Sequence, residues 1–196
     1  LMLQSASGFD LLSGKLSSTG GTLSLPYGMA LGSGSIFDFS SSKVVFSGTL
    51  NVGEGTINSN SSSTLELQAA SSFSSSAVFT IPTLDLNSQA LTLNTSSTHL
   101  TVSNPFSVES SESVDTKGGS LTINGSATIE DSGIIESNEG SLTFNDGLAL
   151  ENGSLLLSGG SVALNSGATI SDSELKLFDS SLTLAGNVTM TNDSTL

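Results

Sequence analysis

From Gly119 onward, short runs of alternating apolar and polar residues recur as a repeated block. The block reads GSLTINGSATIEDSGIIESNE, then GSLTFNDGLALENGSLLLSG, then GSVALNSGATISDSELKLFD, then SSLTLAGNVTMTNDSTL. Its starts fall at Gly119, Gly140, Gly160 and Ser180, spaced 21, 20 and 20 residues apart. Within a block the apolar positions have a period of two, the strand signal, and not the 3.6 of a helix. Each block holds three such runs; in the second they are Ser141–Asn145, Leu148–Asn152 and Ser154–Ser158. Gly, Asn, Asp and Ser separate them, residues that tolerate positive φ or hydrogen-bond back to the backbone. Linkers this short cannot hold a crossover helix. An antiparallel meander would not require the same residue types at every third strand. A coil of three strands per turn does, because each strand lies on its counterpart one turn earlier. A fixed period of this length marks a solenoid. The pattern predicts an all-β parallel β-helix, with about 20 residues and three short strands per coil and roughly nine to ten coils. At ~4.8 Å per coil the rod would be roughly 45 Å long.

Stacking the blocks gives inward columns. On the first strand they are Leu121 and Ile123, Leu142 and Phe144, Val162 and Leu164, and Leu182 and Leu184. On the second they are Ala127 and Ile129, Leu148 and Leu150, Ala168 and Ile170, and Val188 and Met190. The third holds Leu155 and Leu157, then Leu175 and Leu177, and in the first block either Ile134 with Glu136 or a register shifted to Ile135. Asn124, Asn145 and Asn165 recur at the end of the first strand, the placement of a side-chain amide ladder at a corner. Ala185 breaks that column.

The first half repeats the design less regularly. Coil starts are expected at Leu23, Val44, Leu65 and Leu84, and the 37 residues from Leu84 to Leu121 are assigned to two shorter coils. Two irregular coils are expected. Residues 58–77 are mostly Ser, with Leu65, Leu67 and Phe73 as core and a loose, protruding corner. Residues 105–119 include Pro105–Ser110 and are expected to lack a full strand. No domain boundary interrupts 1–196, which is expected to form one continuous solenoid. The opening LMLQSASGFDLLSGKL lacks a basic n-region and a cleavage pattern, so no signal peptide is expected. The closing TMTNDSTL stops within a block, which points to a piece of a longer protein.

Charge narrows the partners. The net charge is −14, and Lys15, Lys43, Lys117 and Lys176 are the whole basic set. Nucleic-acid binding needs a clustered basic footprint that is absent here. An anionic membrane surface is disfavoured for the same reason. No apolar run approaches the ~18 residues of a membrane-spanning helix. With no Cys, neither a disulfide nor a thiolate metal site can form. The 43 Ser and 21 Gly would suit a disordered chain, but the regular Leu, Ile, Val and Phe positions supply a buryable face.

Candidate chemistry is sparse. Lyase chemistry on acidic sugars calls for cations and a base, and there is no Arg. Glycoside hydrolysis needs paired carboxylates, whereas Asp38, Glu54, Glu66 and Asp85 are single acids on different coils. The acidic stretch Glu109, Glu112, Asp115, Glu130, Asp131, Glu136 and Glu139 offers oxygen ligands for Ca²⁺. It lacks the spacing of an EF-hand or of a calcium-binding β-roll, so a solvated acidic patch is the default. His99 is the only His and is expected outward on a strand; it cannot build a zinc site alone. Tyr27 and the nine Phe form no sugar-stacking cluster, and most Phe read as core. The Ser/Thr rows suggest ice binding, but the row is read as interrupted by Ala163, Asp85 and Glu66. No catalytic, cofactor or metal residue is therefore assigned, and no cofactor is expected.

The repeats GGTLSL, GTLNVGEGTI, GGSLTINGSATI and GGSVALNSGATI resemble the β-helical passenger regions of bacterial autotransporters and the repeat regions of filamentous-haemagglutinin-type adhesins. The resemblance implies a secreted or cell-surface, outer-membrane-associated fibre that binds a host or bacterial surface ligand or self-associates. It carries over no functional residue, and no translocator barrel or secretion domain accompanies it. The function expected is a non-enzymatic adhesive stalk. The alternatives are a carbohydrate-active or sugar-binding β-helix and a filament-forming assembly module.

Overall fold

The structure is a computed structural model that describes residues 8–74, 76 and 78–195. It is an all-β parallel solenoid of about 9 turns with about 21 residues per coil. Leu1–Ser7, at the head of the opening segment, lie outside the described residues, as do Ser75 and Ala77 in the Ser-rich stretch.

Every paired strand lies parallel to its counterpart one coil away, on one of three faces. The first face carries Leu121 and Ile123. It begins as Gly14–Ser17, Ser35–Asp38 and Thr56–Asn58, then resumes as a six-stranded sheet from Val78–Ile81 to Ser181–Leu184. The second face carries Ala127 and Ile129. It runs as four strands from Thr22–Leu25 to Thr83–Asp85, then as five from Phe106–Val108 to Asn187–Thr191. The third face is one uninterrupted nine-stranded sheet from Phe9–Leu11 to Glu174–Phe178. That sheet joins the coils as far as Glu174–Phe178, while the other two each break once.

The register places apolar on apolar. Leu100, Leu121, Leu142 and Val162 stack on the first face. Ala127, Leu148 and Ala168 stack on the second, and Leu155 lies on Leu175 on the third. All of these are buried, and alternate residues face outward, which is the period of two read from the sequence. In the last coil Leu184 and Met190 continue the columns, and are 48% and 40% exposed. Nearer the start, Phe37, Phe39 and Phe46 form an aromatic cluster. Phe37 and Phe39 stack at 5.3 Å, and Phe37 and Phe46 meet edge to face at 5.9 Å.

One open choice is settled and two expectations change. The third column of the first block uses Ile135, which pairs with Leu155 and is buried, while Ile134 is 37% exposed. Ser137 then enters the core, packed in line with Thr116 from the coil before. Both side chains are fully buried, and both hydroxyls lack a hydrogen-bond partner.

Next, Leu84 and Leu121 do not belong to one column. Leu84 pairs with Leu65 on the second face, whereas Leu121 pairs with Leu100 on the first. The interval therefore spans different faces and needs no shortened coils. Finally, residues 105–119 are not missing a strand, because Phe106–Val108 pairs in register with Ala127–Ile129 and Ser113–Asp115 with Ile134–Glu136. The gap lies instead between Thr83–Asp85 and Phe106–Val108, where the second-face sheet breaks.

In the Ser-rich stretch 58–77, Leu65, Leu67 and Phe73 are buried as expected. The corner at Asn60–Ser63 is tied rather than loose. The Ser63 hydroxyl donates to the Phe39 carbonyl at 3.0 Å, and the Asn60 side-chain oxygen accepts from the Ser41 N–H at 2.9 Å.

Candidate functional site

Corner length shapes the surface between the third and first faces. Leu93 and Leu100, the inward residues on either side of the corner Asn94–Thr98, are seven positions apart. The matching interval is five positions in each of the next four coils, from Thr116 to Leu121, Ser137 to Leu142, Leu157 to Val162 and Leu177 to Leu182. The wide corner is closed by Thr98 N–H donating to the Thr95 carbonyl at 2.9 Å. Where it ends, a cleft of about 750 Å³ opens along the helix axis. Asn94, Thr95 and Ser96 line it, together with Lys117, Asn138, Glu139, Ser158 and Asp179 from later coils.

Its backbone is regular. Gly118 N–H donates to the Asn138 carbonyl at 2.7 Å, Glu139 N–H to Ser158 at 2.8 Å, and Gly159 N–H to Phe178 at 2.8 Å. Asn138 pairs with Ser158, and Ser158 with Phe178, so these three stand on successive coils in one axial row. Asp115 pairs with Glu136, which puts Lys117 in the same row, two residues further along each strand. Phe178 is 67% exposed. With Glu136, Leu156 and Lys176 it lines a small hollow of about 180 Å³ that shares Ser158 with the cleft. The sequence contained the signal for this exposure: Leu177 continues the inward column, so Phe178 alternates outward.

The seven acids offered as Ca²⁺ ligands are not brought together. Glu130 ends a strand of the second face and Glu109 follows one, and Asp131 lies at the corner beyond Glu130. Asp115 and Glu136 stand on the third face, and Glu139 lines the axial cleft. Glu112 is buried, and its carboxylate is taken by backbone: it accepts from Ser88 N–H at 2.8 Å and Glu109 N–H at 2.9 Å. Among the described residues no group of three or more such side chains could hold a metal ion. A second cleft, about 370 Å³, lies at the second-face break beside Asp85, Glu109 and Glu112.

Glu130 stacks on Glu151, and Glu109 follows Val108, the partner of Ile129, so three glutamates form an axial column. Burial first, then the charges of Glu109, Asp131 and Glu151, hold the Glu130 carboxyl above its ordinary value of 4.5. A raised folded-state pKa means that the group favours the fold most when protonated. That contribution is complete below the ordinary value and is lost as the pH rises through the raised one. Glu130→Gln should therefore melt higher than the parent at pH 7. Thermal melts should show the two converging below about pH 4, and added salt should narrow the gap at pH 7.

The few cations act oppositely. Lys43 pairs with Glu66 at 2.5 Å, and Gln68 donates to the same carboxylate at 2.6 Å. The Lys43 hydrogen bond holds Glu66 below its ordinary value despite its burial. Lys15 does the same for Asp38 across 2.8 Å.

The amide ladder is present: Asn145 Nδ2 donates to Asn124 Oδ1 and Asn165 Nδ2 to Asn145 Oδ1, each at 2.7 Å. His99 is exposed on its strand, as expected, and its Nδ1 pairs with the Ser120 hydroxyl. One reading of the Ser/Thr rows is corrected. Glu66 and Asp85 pair with each other on the second face, so they do not interrupt the first-face row. That row runs Thr80, Thr101, Thr122, Thr143, Ala163, Thr183, with Val78, His99, Ser120, Ser141, Ser161 and Ser181 beside it. Neither Lys nor an acid stands in it.

Among the described residues, no helix is long and apolar enough to cross a membrane. Comparison with protein-family models, with curated proteins and with solved structures finds no match to the chain.

Proposed function

We propose that this chain is a non-enzymatic adhesive stalk, part of a secreted or surface-displayed bacterial protein of the autotransporter-passenger or filamentous-haemagglutinin kind. The observation that carries the reading is the uninterrupted nine-stranded third face over a continuous apolar core. Such a solenoid transmits load through hydrogen bonds directed along its axis, while its outward residues are free to vary and to make contacts. The scattered acids and the single His support a role other than catalysis. Beads coated with the chain should attach to epithelial or bacterial cells, or cluster with one another, more than albumin-coated beads do. Attachment no better than albumin in all these assays would sink the adhesive reading, and release of reducing sugar from polysaccharide by the purified chain would sink the non-enzymatic one.

A second reading is favoured by the first face. Twelve outward positions on six in-register strands form a regular array without Lys or acid, on a chain of net charge −14. Rows of hydroxyls at a fixed spacing of ~4.8 Å can order water, the requirement for adsorption to ice. Thermal hysteresis and ice recrystallisation at equal protein mass test it, and a growth rate of ice crystals equal to that in albumin would exclude it.

A further inference from the structure

We propose that the axial cleft between the third and first faces binds a neutral, linear oligosaccharide, with one sugar ring against Phe178. The proposal rests on the adhesive reading and names the ligand class of that surface. A sugar chain presents hydroxyl edges and apolar C–H faces in alternation. Its sites therefore combine a few convergent polar groups with an apolar or aromatic surface. Lys117, Asn138, Ser158 and Phe178 supply an ammonium, an amide, a hydroxyl and an aromatic face in one row, on successive coils. At ~4.8 Å per coil the row repeats at a spacing that suits a chain running along the axis. Glu139 and Asp179 add carboxylate acceptors beside it.

Phe178 has no part in the core, because Leu175 and Leu177 fill the inward positions of its strand. A single exposed apolar residue is ordinary. What distinguishes this one is its place at the end of a polar cleft, over an apolar hollow that shares Ser158 with it. Charge selects against acidic polymers, since the cleft sets one Lys against two acids on a chain of net charge −14. A peptide adding as a strand is disfavoured along the middle of the row, because Ile134–Asn138 and Ser154–Ser158 are already paired with both axial neighbours, while Glu174–Phe178 ends its sheet.

Affinity electrophoresis of the intact chain through gels containing laminarin, mannan, galactan or dextran, with polygalacturonate as the acidic comparison, tests the proposal. Retardation is expected in at least one neutral gel and none in polygalacturonate. Phe178→Ala should weaken binding roughly fivefold or more, and Ser158→Arg should abolish it by filling the row. Tyr27→Ala, exposed at a different corner, should bind like the parent. Circular dichroism verifies that each variant keeps its β-structure. No retardation in any neutral gel, equal retention of both cleft variants, or preference for polygalacturonate would each overturn the proposal. Bead attachment alongside silent gels removes the sugar ligand and leaves the adhesive reading standing. Gel retardation without bead attachment does the reverse.

Discussion

Phe46→Ala is expected to lower the free energy of unfolding by about 3–5 kcal/mol, read as a drop in the urea midpoint at unchanged slope. Phe46 is fully buried and meets Phe37 edge to face at 5.9 Å, and Phe37 in turn stacks on Phe39. Truncation removes the transfer energy of a phenyl ring. It also leaves a cavity whose walls are strands of adjacent coils, and those strands cannot collapse inward without breaking their axial ladders. In a solenoid each coil is held by its neighbours, so the loss is local. Hydrogen exchange should quicken in Thr22–Leu25, Lys43–Phe46 and Thr64–Leu67, and much less in the coils beyond Gly119. Phe178→Ala is the matched comparison, since that ring is 67% exposed and should cost well under 1 kcal/mol. A Phe46→Ala variant as stable as Phe178→Ala would mean that the aromatic cluster does not hold the first coils together.

The second half of the chain was legible because its blocks keep their length. From Gly119 the inward columns could be written down by adding 20 or 21, and Leu121, Leu142 and Val162 do stack. The one ambiguity, Ile134 against Ile135, has a local cause. Between the second and third strands the first block spends two positive-φ residues, Asp131 and Ser132, where the second block spends Asn152 alone. The extra residue shifts the strand by one and turns Ile134 outward. In the first half that spacing fails, because Leu84 and Leu121 stand on different faces and the 37 residues between them do not form two shorter coils. Glu66 and Asp85 likewise share the alternation of the Ser/Thr row but lie on the second face. The cleft was beyond the reach of the pattern. It depends on the corner Asn94–Thr98 being two residues longer than those that follow, and in the less regular first half the apolar pattern alone does not place that corner between two particular faces.

Gly140→Val is expected to cost about 3 kcal/mol or more, near the upper end for overpacking. Gly140 turns the corner beside the axial cleft, and Gly119 and Gly160 occupy the same corner one coil away on either side. A Cβ at Gly140 would stand 2.4 Å from the Gly119 carbonyl oxygen, 2.5 Å from that of Thr116 and 2.7 Å from the Thr116 hydroxyl. Two of these three atoms are backbone and cannot rotate away. The Gly119 oxygen also accepts the Ser141 N–H at 3.0 Å, so relieving the clash means pulling that bond open. The same displacement would disturb Ser137 and Thr116, whose buried hydroxyls already lack partners. Gly34→Ala separates this from a general intolerance of glycine replacement. Gly34 has φ of +76° but nothing within 4 Å of a Cβ, so only backbone strain of about 1–2 kcal/mol is at stake there. Urea midpoints of the two variants decide the matter. If Gly140→Val were the milder, the close approach of coils at this corner would not be what fixes their spacing. The row of Lys117, Asn138, Ser158 and Phe178 would then owe its regular spacing to the third-face ladder alone.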